Sequence, residues 1–144
     1  MGKKRIVKTE GTRVDKSLRD RAVARTPKKK LVTGIFHVQS TFNNTKALLT
    51  DMDGNAIMAS SSGALGFKGA KKGTPYAAAE VGKVVAERAA LIGIKELHIV
   101  VRGIGSGREA AIRSLGSHGF DILSIQDKTP VPHNGPRPKK ARRV

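Results

Sequence analysis

The run Gly103-Ile104-Gly105-Ser106-Gly107 stands where a nucleotide-binding loop would, after the apolar stretch Ile99-Val100-Val101 and just before Arg108. Asp127 follows Gly107 by twenty positions, the spacing at which dinucleotide folds hold a ribose hydroxyl. The pattern breaks at its third glycine. Counted from Gly103-x-Gly105, that place holds Arg108, and a bulky side chain there disturbs the helix–strand packing that glycine permits. No G-x-x-x-x-G-K-S/T run occurs either. What remains is a loop at a helix start whose backbone N–H groups, with Arg108 beside them, suit an anion such as an RNA phosphate.

Clustered carboxylates are the other route to chemistry, because paired metal ions held on them hydrolyse phosphodiesters. Asp51 and Asp53 flank a hairpin and read as turn residues, while Glu80 and Glu87 fall on the outer side of a helix, placed for ion pairing or solvation. Nothing gathers three carboxylates. His37, His98, His118 and His133 are isolated, without metal-ligand spacing, and Ser60-Ser61-Ser62 has no base near it. These residues support no enzyme, no cofactor and no metal site.

Charge is the stronger signal. Lys and Arg number 28 against 11 Asp and Glu, a net charge of +17. Residues 1–30 hold twelve basic and three acidic side chains, residues 128–144 six basic and no acidic ones, and residues 31–127 ten against eight. Two cationic ends around a near-neutral body require a polyanion. A membrane surface would want a basic helix with a broad apolar face. Residues 1–30 offer only Ile6, Val7, Val14, Leu18 and Val23 as larger apolar side chains, and no run reaches membrane-spanning length. The first residues have no apolar signal core. The absence of cysteine excludes disulfides and suits the reducing cytoplasm. RNA or DNA is thus the expected partner, with no membrane. The five aromatics, Phe36, Phe42, Phe67, Tyr76 and Phe120, are too sparse for a base-stacking platform, so phosphates, sugars and RNA shape are the expected targets.

The elements that must position these residues are legible in outline. Residues 1–30 read as a basic arm, mobile when free, residues 31–127 as one α/β domain, and residues 128–144 as a basic tail that Pro130, Pro132, Pro136 and Pro138 keep extended. Within the domain, Val32 to Gln39, Lys46 to Thr50 and Ala56 to Ser60 are expected strands, with turns at Asn43-Asn44 and Asp53-Gly54. Thr74-Pro75 opens a helix that runs to about Ile92 and stops at Gly93. Glu96 to Arg102 is a fourth strand, Arg108 to His118 a shorter helix, and Phe120 to Gln126 a fifth strand. The order βββαβαβ implies a mixed five-stranded sheet with helices packed on it and right-handed crossovers.

Three segments together resemble one family. They are Ser40-Thr41-Phe42-Asn43-Asn44-Thr45; the stretch from Ser62 to Ala78, with Gly66-Phe67-Lys68-Gly69 and Lys71-Lys72-Gly73-Thr74-Pro75-Tyr76; and Arg108-Glu109-Ala110-Ala111-Ile112-Arg113 with Asp127-x-Thr129-Pro130-x-Pro132-His133-Asn134-Gly135. This is similar to protein eleven of the small ribosomal subunit in its bacterial form, over about residues 31–144. The resemblance implies a three-layer, ribonuclease-H-like α/β/α fold. It also implies a place on the small-subunit platform, bridging ribosomal RNA helices, lining the messenger-RNA cleft used in initiation and touching neighbouring platform proteins. Ile104 and Ser106 stand where the family usually has prolines, and Pro136 where Cys is common; neither change removes a charge.

By resemblance the RNA contacts include Asn43, Asn44, the Lys68–Lys72 loop, Arg108, His133, Asn134 and the tail beyond. The residues themselves point the same way. Lys68, Lys71 and Lys72 lie among glycines that let a phosphate approach, and Arg137, Lys139, Lys140, Arg142 and Arg143 lie on the extended tail. Arg102 and Arg113 are further candidates, Arg113 with solvation of its helix as the alternative, and Asn43-Asn44 with turn chemistry as theirs. A DNA-reading module would need a helix rich in polar base-reading side chains, and the second helix offers only Arg108, Glu109 and Arg113. Asn134-Gly135 has one further chemistry: the unhindered glycine nitrogen can attack the asparagine amide and yield isoaspartate, a modification the resemblance also implies, unless the neighbouring prolines or RNA contacts forbid ring closure.

Overall fold

A computed structural model describes residues 15–24 and 30–143. Most of the basic arm, residues 1–14 and 25–29, lies outside the described residues, as does Val144. In chain order the elements are helix α1 (Lys16–Ala24), strands β1 (Thr33–Ser40), β2 (Thr45–Thr50) and β3 (Ala56–Ser61), a 3-10 turn (Gly69–Gly73), helix α2 (Pro75–Ile92), strand β4 (Glu96–Arg102), helix α3 (Gly107–Gly116) and strand β5 (Asp121–Asp127). From β1 onward this is the expected order.

Local chemistry sets the boundaries. Between β2 and β3 the Asp51 carboxylate accepts from the Asn55 N–H at 2.8 Å and from the Asn55 side-chain amide at 3.1 Å, and Gly54 turns the chain at φ +89°. Thr74 caps α2 by accepting from the Ala77 N–H at 3.3 Å, Pro75 takes the first turn, and Gly93 closes the helix in the left-handed region.

The sheet order is β3-β2-β1-β4-β5, with β1–β2 and β2–β3 antiparallel and β1–β4 and β4–β5 parallel. Alternation sorts its residues onto two faces. Phe36 and Val38 of β1, Ala47 and Leu49 of β2, Met58 of β3, and Leu97, Ile99 and Val101 of β4 point to one face, where they are buried under α2 and α3. Among the described residues the opposite face carries no helix. The mixed five-stranded α/β sheet is the expected one, with α2 and α3 on the same side of it. The links β3–α2–β4 and β4–α3–β5 both step the same way along the sheet, so two right-handed crossovers put both helices on one side. The core is accordingly a single layer between sheet and helices.

Two further differences concern the helices. The segment read as a mobile arm contains α1, which docks on the body: the Asp15 N–H donates to the Leu65 carbonyl at 3.0 Å, and Arg19 pairs with Glu87 of α2. Its start is capped by Asp15, which accepts from the Ser17 N–H at 3.0 Å and hydroxyl at 2.7 Å; these bonds hold the Asp15 carboxyl below its usual pKa. Glu80, expected on the outer side of α2, is buried and bonds Lys83 at 2.6 Å. The helix has α1 and α3 for neighbours as well as the sheet, which leaves it little outer side. At its crossing with α3, a Cβ on Gly82 would overlap the Ser114 hydroxyl, so only glycine permits this approach.

Candidate nucleic-acid interface

The strand pairing delivers the candidate residues to one end of the sheet. Gln39 lies opposite both Lys46 and Arg102, Lys46 opposite Ser61, and Val101 opposite Asp127. The turn after β1, the loop after β3, the loop after β4, the tail after β5 and the start of α3 therefore meet. Carboxyl ends of parallel strands are where open α/β sheets bind ligands.

Hydrogen bonds and glycines stitch these loops together. In the turn after β1 the Thr41 N–H donates to the Asn44 carbonyl at 2.9 Å, and the Thr41 hydroxyl accepts from the Asn44 N–H at 3.2 Å. Turn chemistry therefore accounts for Asn44, which is half-buried, while Asn43 projects into solvent. Gly73 approaches the Phe42 carbonyl so closely that no Cβ fits, and its own carbonyl accepts from the Ser106 hydroxyl at 3.1 Å. Gly103, Gly105 and Gly107 all crowd against Ser40, where a Cβ on any of them would meet the Ser40 backbone or hydroxyl.

The loop after β4 departs from expectation. The sequence implies N–H groups open to a phosphate here. Instead the Gly103 N–H donates to the Thr129 hydroxyl at 3.1 Å and the Gly105 N–H to the Ser40 carbonyl at 3.0 Å. Arg108 turns inward as well, donating to the Gly103 carbonyl at 2.8 Å and pairing with Asp127 at 2.6 Å. Asp127 also accepts from the Thr129 hydroxyl at 2.6 Å and N–H at 2.9 Å. The Thr129 hydroxyl first, then the Arg108 guanidinium, hold the Asp127 carboxyl far below the usual carboxylate range. Gly103, Arg108, Asp127 and Thr129 thus form a clamp that fastens the root of the tail to the loop. An Asp followed two residues later by Thr is a spacing that suits a local side-chain-to-backbone turn, but nothing in the sequence names Arg108 as its partner.

The other cations lie further out. Lys68 and Lys71 are exposed and Lys72 half-buried on and beside the 3-10 turn, next to the Phe42–Asn43 turn. Arg102 is exposed at the end of β4 on the uncovered sheet face. From Pro130 to Arg143 the tail is exposed throughout, His133, Arg137, Lys139, Lys140, Arg142 and Arg143 included, and Asn134 takes a left-handed turn at φ 58° before Gly135. Arg113 is not brought to this end. It lines a shallow groove between α2 and α3 with Tyr76 and Lys83.

Two further cations, Lys46 and Lys128, join this end of the sheet through the strand pairing. Lys46 precedes the inward Ala47, so period-two alternation assigns it to the uncovered face. Lys128 continues β5 with its N–H on the Val101 carbonyl at 2.8 Å, and it stands near His37, whose pKa is lowered by burial and then by that ammonium. Among the described residues no group of three His, Asp or Glu side chains is arranged to hold a metal ion, and no helix is long and apolar enough to cross a membrane.

The family model for ribosomal protein S11 matches residues 34–143, from the first buried position of β1 to the end of the basic tail. The chain belongs to the ribosomal protein S11 family. As an S11 family member it is a structural, non-enzymatic constituent of the small ribosomal subunit, a ribonucleoprotein of translation, and it binds ribosomal RNA and other ribosomal proteins. Helix α1 precedes the matched region.

Proposed function

We propose that the chain occupies the platform of the cytoplasmic small subunit and bridges separate helices of its ribosomal RNA, close to the messenger-RNA cleft used in initiation and to neighbouring platform proteins. The observation that supports this reading is that two kinds of candidate RNA-binding surface leave the same end of the sheet. One is rigid: Asn43, Lys68, Lys71, Lys72 and Arg102 on stitched loops and strand ends. The other is an exposed, proline-spaced tail that reaches away from them. A rigid patch and an extended arm with a common root suit two RNA segments better than one. In this reading residues 31–127 are the RNA-binding body, residues 1–30 and 128–144 are basic extensions, and Asn44 and Arg108 act by shaping the loops that the other residues use. Arg113 contributes from its groove, and Asn134 is the residue in the tail open to isoaspartate formation.

Chemical footprinting of ribosomal RNA in reconstituted small subunits tests this. Replacing Lys68, Lys71 and Lys72 by alanine should expose one set of nucleotides, and truncating the tail a second, separate set. One contiguous set lost in both cases would refute bridging.

A further inference from the structure

Because α2 and α3 share one side, among the described residues the other side of the sheet lies open as a concave surface holding a hollow of about 730 Å³. Its floor is aliphatic: Leu48 of β2, Ala59 of β3 and Val100 of β4 lie side by side across His37. Lys46, Arg102 and Lys128 line its loop end, and among the described residues no carboxylate lines it. Among the described residues none of these three cations makes an ion pair. An uncovered apolar floor with three uncompensated charges is a surface that association would complete.

The chemistry of the floor decides what completes it. Sheets that bind RNA on a face do so with aromatic rings that stack bases. Here Phe36, the one Phe, Tyr or Trp in β1 to β4, points to the opposite, helix-covered face, and of the two imidazoles on the open face His98 is bonded to Ser124 at 2.7 Å. The backbone N–H groups of β2, β1 and β4 are directed into ladders with a strand on either side, so the floor between the edges offers none to a phosphate. The chain's own extensions are also unsuitable, since residues 1–14 and 129–144 are both strongly cationic and would meet like charge.

We infer that the open sheet face is the docking site for an acidic, aliphatic peptide segment of a neighbouring ribosomal protein, with aliphatic side chains on Leu48, Ala59 and Val100 and carboxylates on Lys46 and Lys128, Arg102 at the rim being left to RNA. This rests on the chain's incorporation into the small subunit. Within the subunit it assigns protein to one face of the sheet and RNA to the loop end and tail.

The test uses the full chain carrying the photo-crosslinker p-benzoyl-phenylalanine in place of Ala59, which is exposed in the hollow, incorporated into small subunits and irradiated. Ser61, on the same face, is the second probe position should the first hinder assembly. Peptide mass analysis after nuclease and protease digestion should find the adduct on a protein segment that combines aliphatic residues with Asp or Glu. The double substitution Lys46→Glu and Lys128→Glu turns two attractions into repulsions and should lower the crosslink yield about tenfold, while the chain's occupancy in subunits stays within about twofold. An adduct on RNA, an adduct on a segment without carboxylates, no adduct at either position, or a yield indifferent to the charge reversal would each overturn the inference. Failure of the unsubstituted chain to enter subunits, measured before irradiation, would instead overturn the reading on which it rests.

Discussion

Two truncations two residues apart should behave differently, and the difference follows from the clamp at the root of the tail. Ending the chain after Pro130 removes Arg137, Lys139, Lys140, Arg142 and Arg143 but keeps Thr129, whose hydroxyl joins Gly103 to Asp127. Ending it after Lys128 removes the same five cations and the Thr129 hydroxyl as well. If about half of the five lie on phosphates, each contributing about 0.7 to the slope of log K against log salt, both truncations lower that slope by about 2. Only the shorter chain should also lose stability. The Gly103 N–H then has no partner, which costs about 1 kcal/mol, or a fall in melting temperature of about 4 °C for a domain of this size. Filter binding to small-subunit ribosomal RNA over a salt series reads the first effect, and calorimetry of the free protein reads the second. Equal melting temperatures for the two truncations would refute the clamp, and an unchanged slope would refute the tail as a phosphate-binding arm.

Other expectations follow from the same geometry. Arg108→Glu puts a second carboxylate against Asp127, so thermal melts should show a clear loss of stability together with any loss of RNA affinity; an unchanged melting temperature would mean that the pair does not form. The Asp127 carboxyl is held below its unfolded pKa, so its stabilisation is present above the ordinary carboxylate range near pH 4 and is lost as pH falls through the depressed folded value; the Asp127→Asn variant should show a flatter fall in melting temperature between about pH 5 and pH 2, and parallel curves would contradict this. Gly82→Ala forces a Cβ into the Ser114 hydroxyl and should cost about 1–3 kcal/mol by urea denaturation, partly recovered by adding Ser114→Ala. Asn134, exposed in its left-handed turn, should form isoaspartate on ageing of the free protein, as peptide mapping across Thr129 to Arg137 would detect; a segment that stays fully asparagine would exclude it.

The sequence made the domain legible where boundaries rest on local chemistry. Asp53-Gly54, Thr74-Pro75 and Gly93 act within a few residues of themselves, so turn, cap and stop were readable without the fold. What depends on distant contacts was not. Helix α1 has few apolar side chains and is held by Leu65 and Glu87, which lie far along the chain. Glu80 looked outward on a helical wheel because the wheel knows nothing of α1 or α3. Of the site, the charged tail and lysine loop were visible as composition. The inward turn of Arg108 was hidden, because its partner Asp127 lies nineteen residues away on another strand end. One lysine in a short strand, such as Lys46, carries no pattern until its neighbours fix which face it occupies.

Ser40 touches Gly103, Gly105 and Gly107 at once, and that shared neighbour makes the loop end one stiff body carrying a loose cord. The two parts should then bind with opposite thermodynamic signatures. Contacts made by the stiff end lose little freedom on capture, whereas each tail residue that settles on RNA gives up the conformational freedom it had in solution. Warming should therefore weaken the tail's hold before that of the loops. In a growing particle the rigid end is suited to dock first and find its place, with the tail threading in afterwards as RNA closes around it.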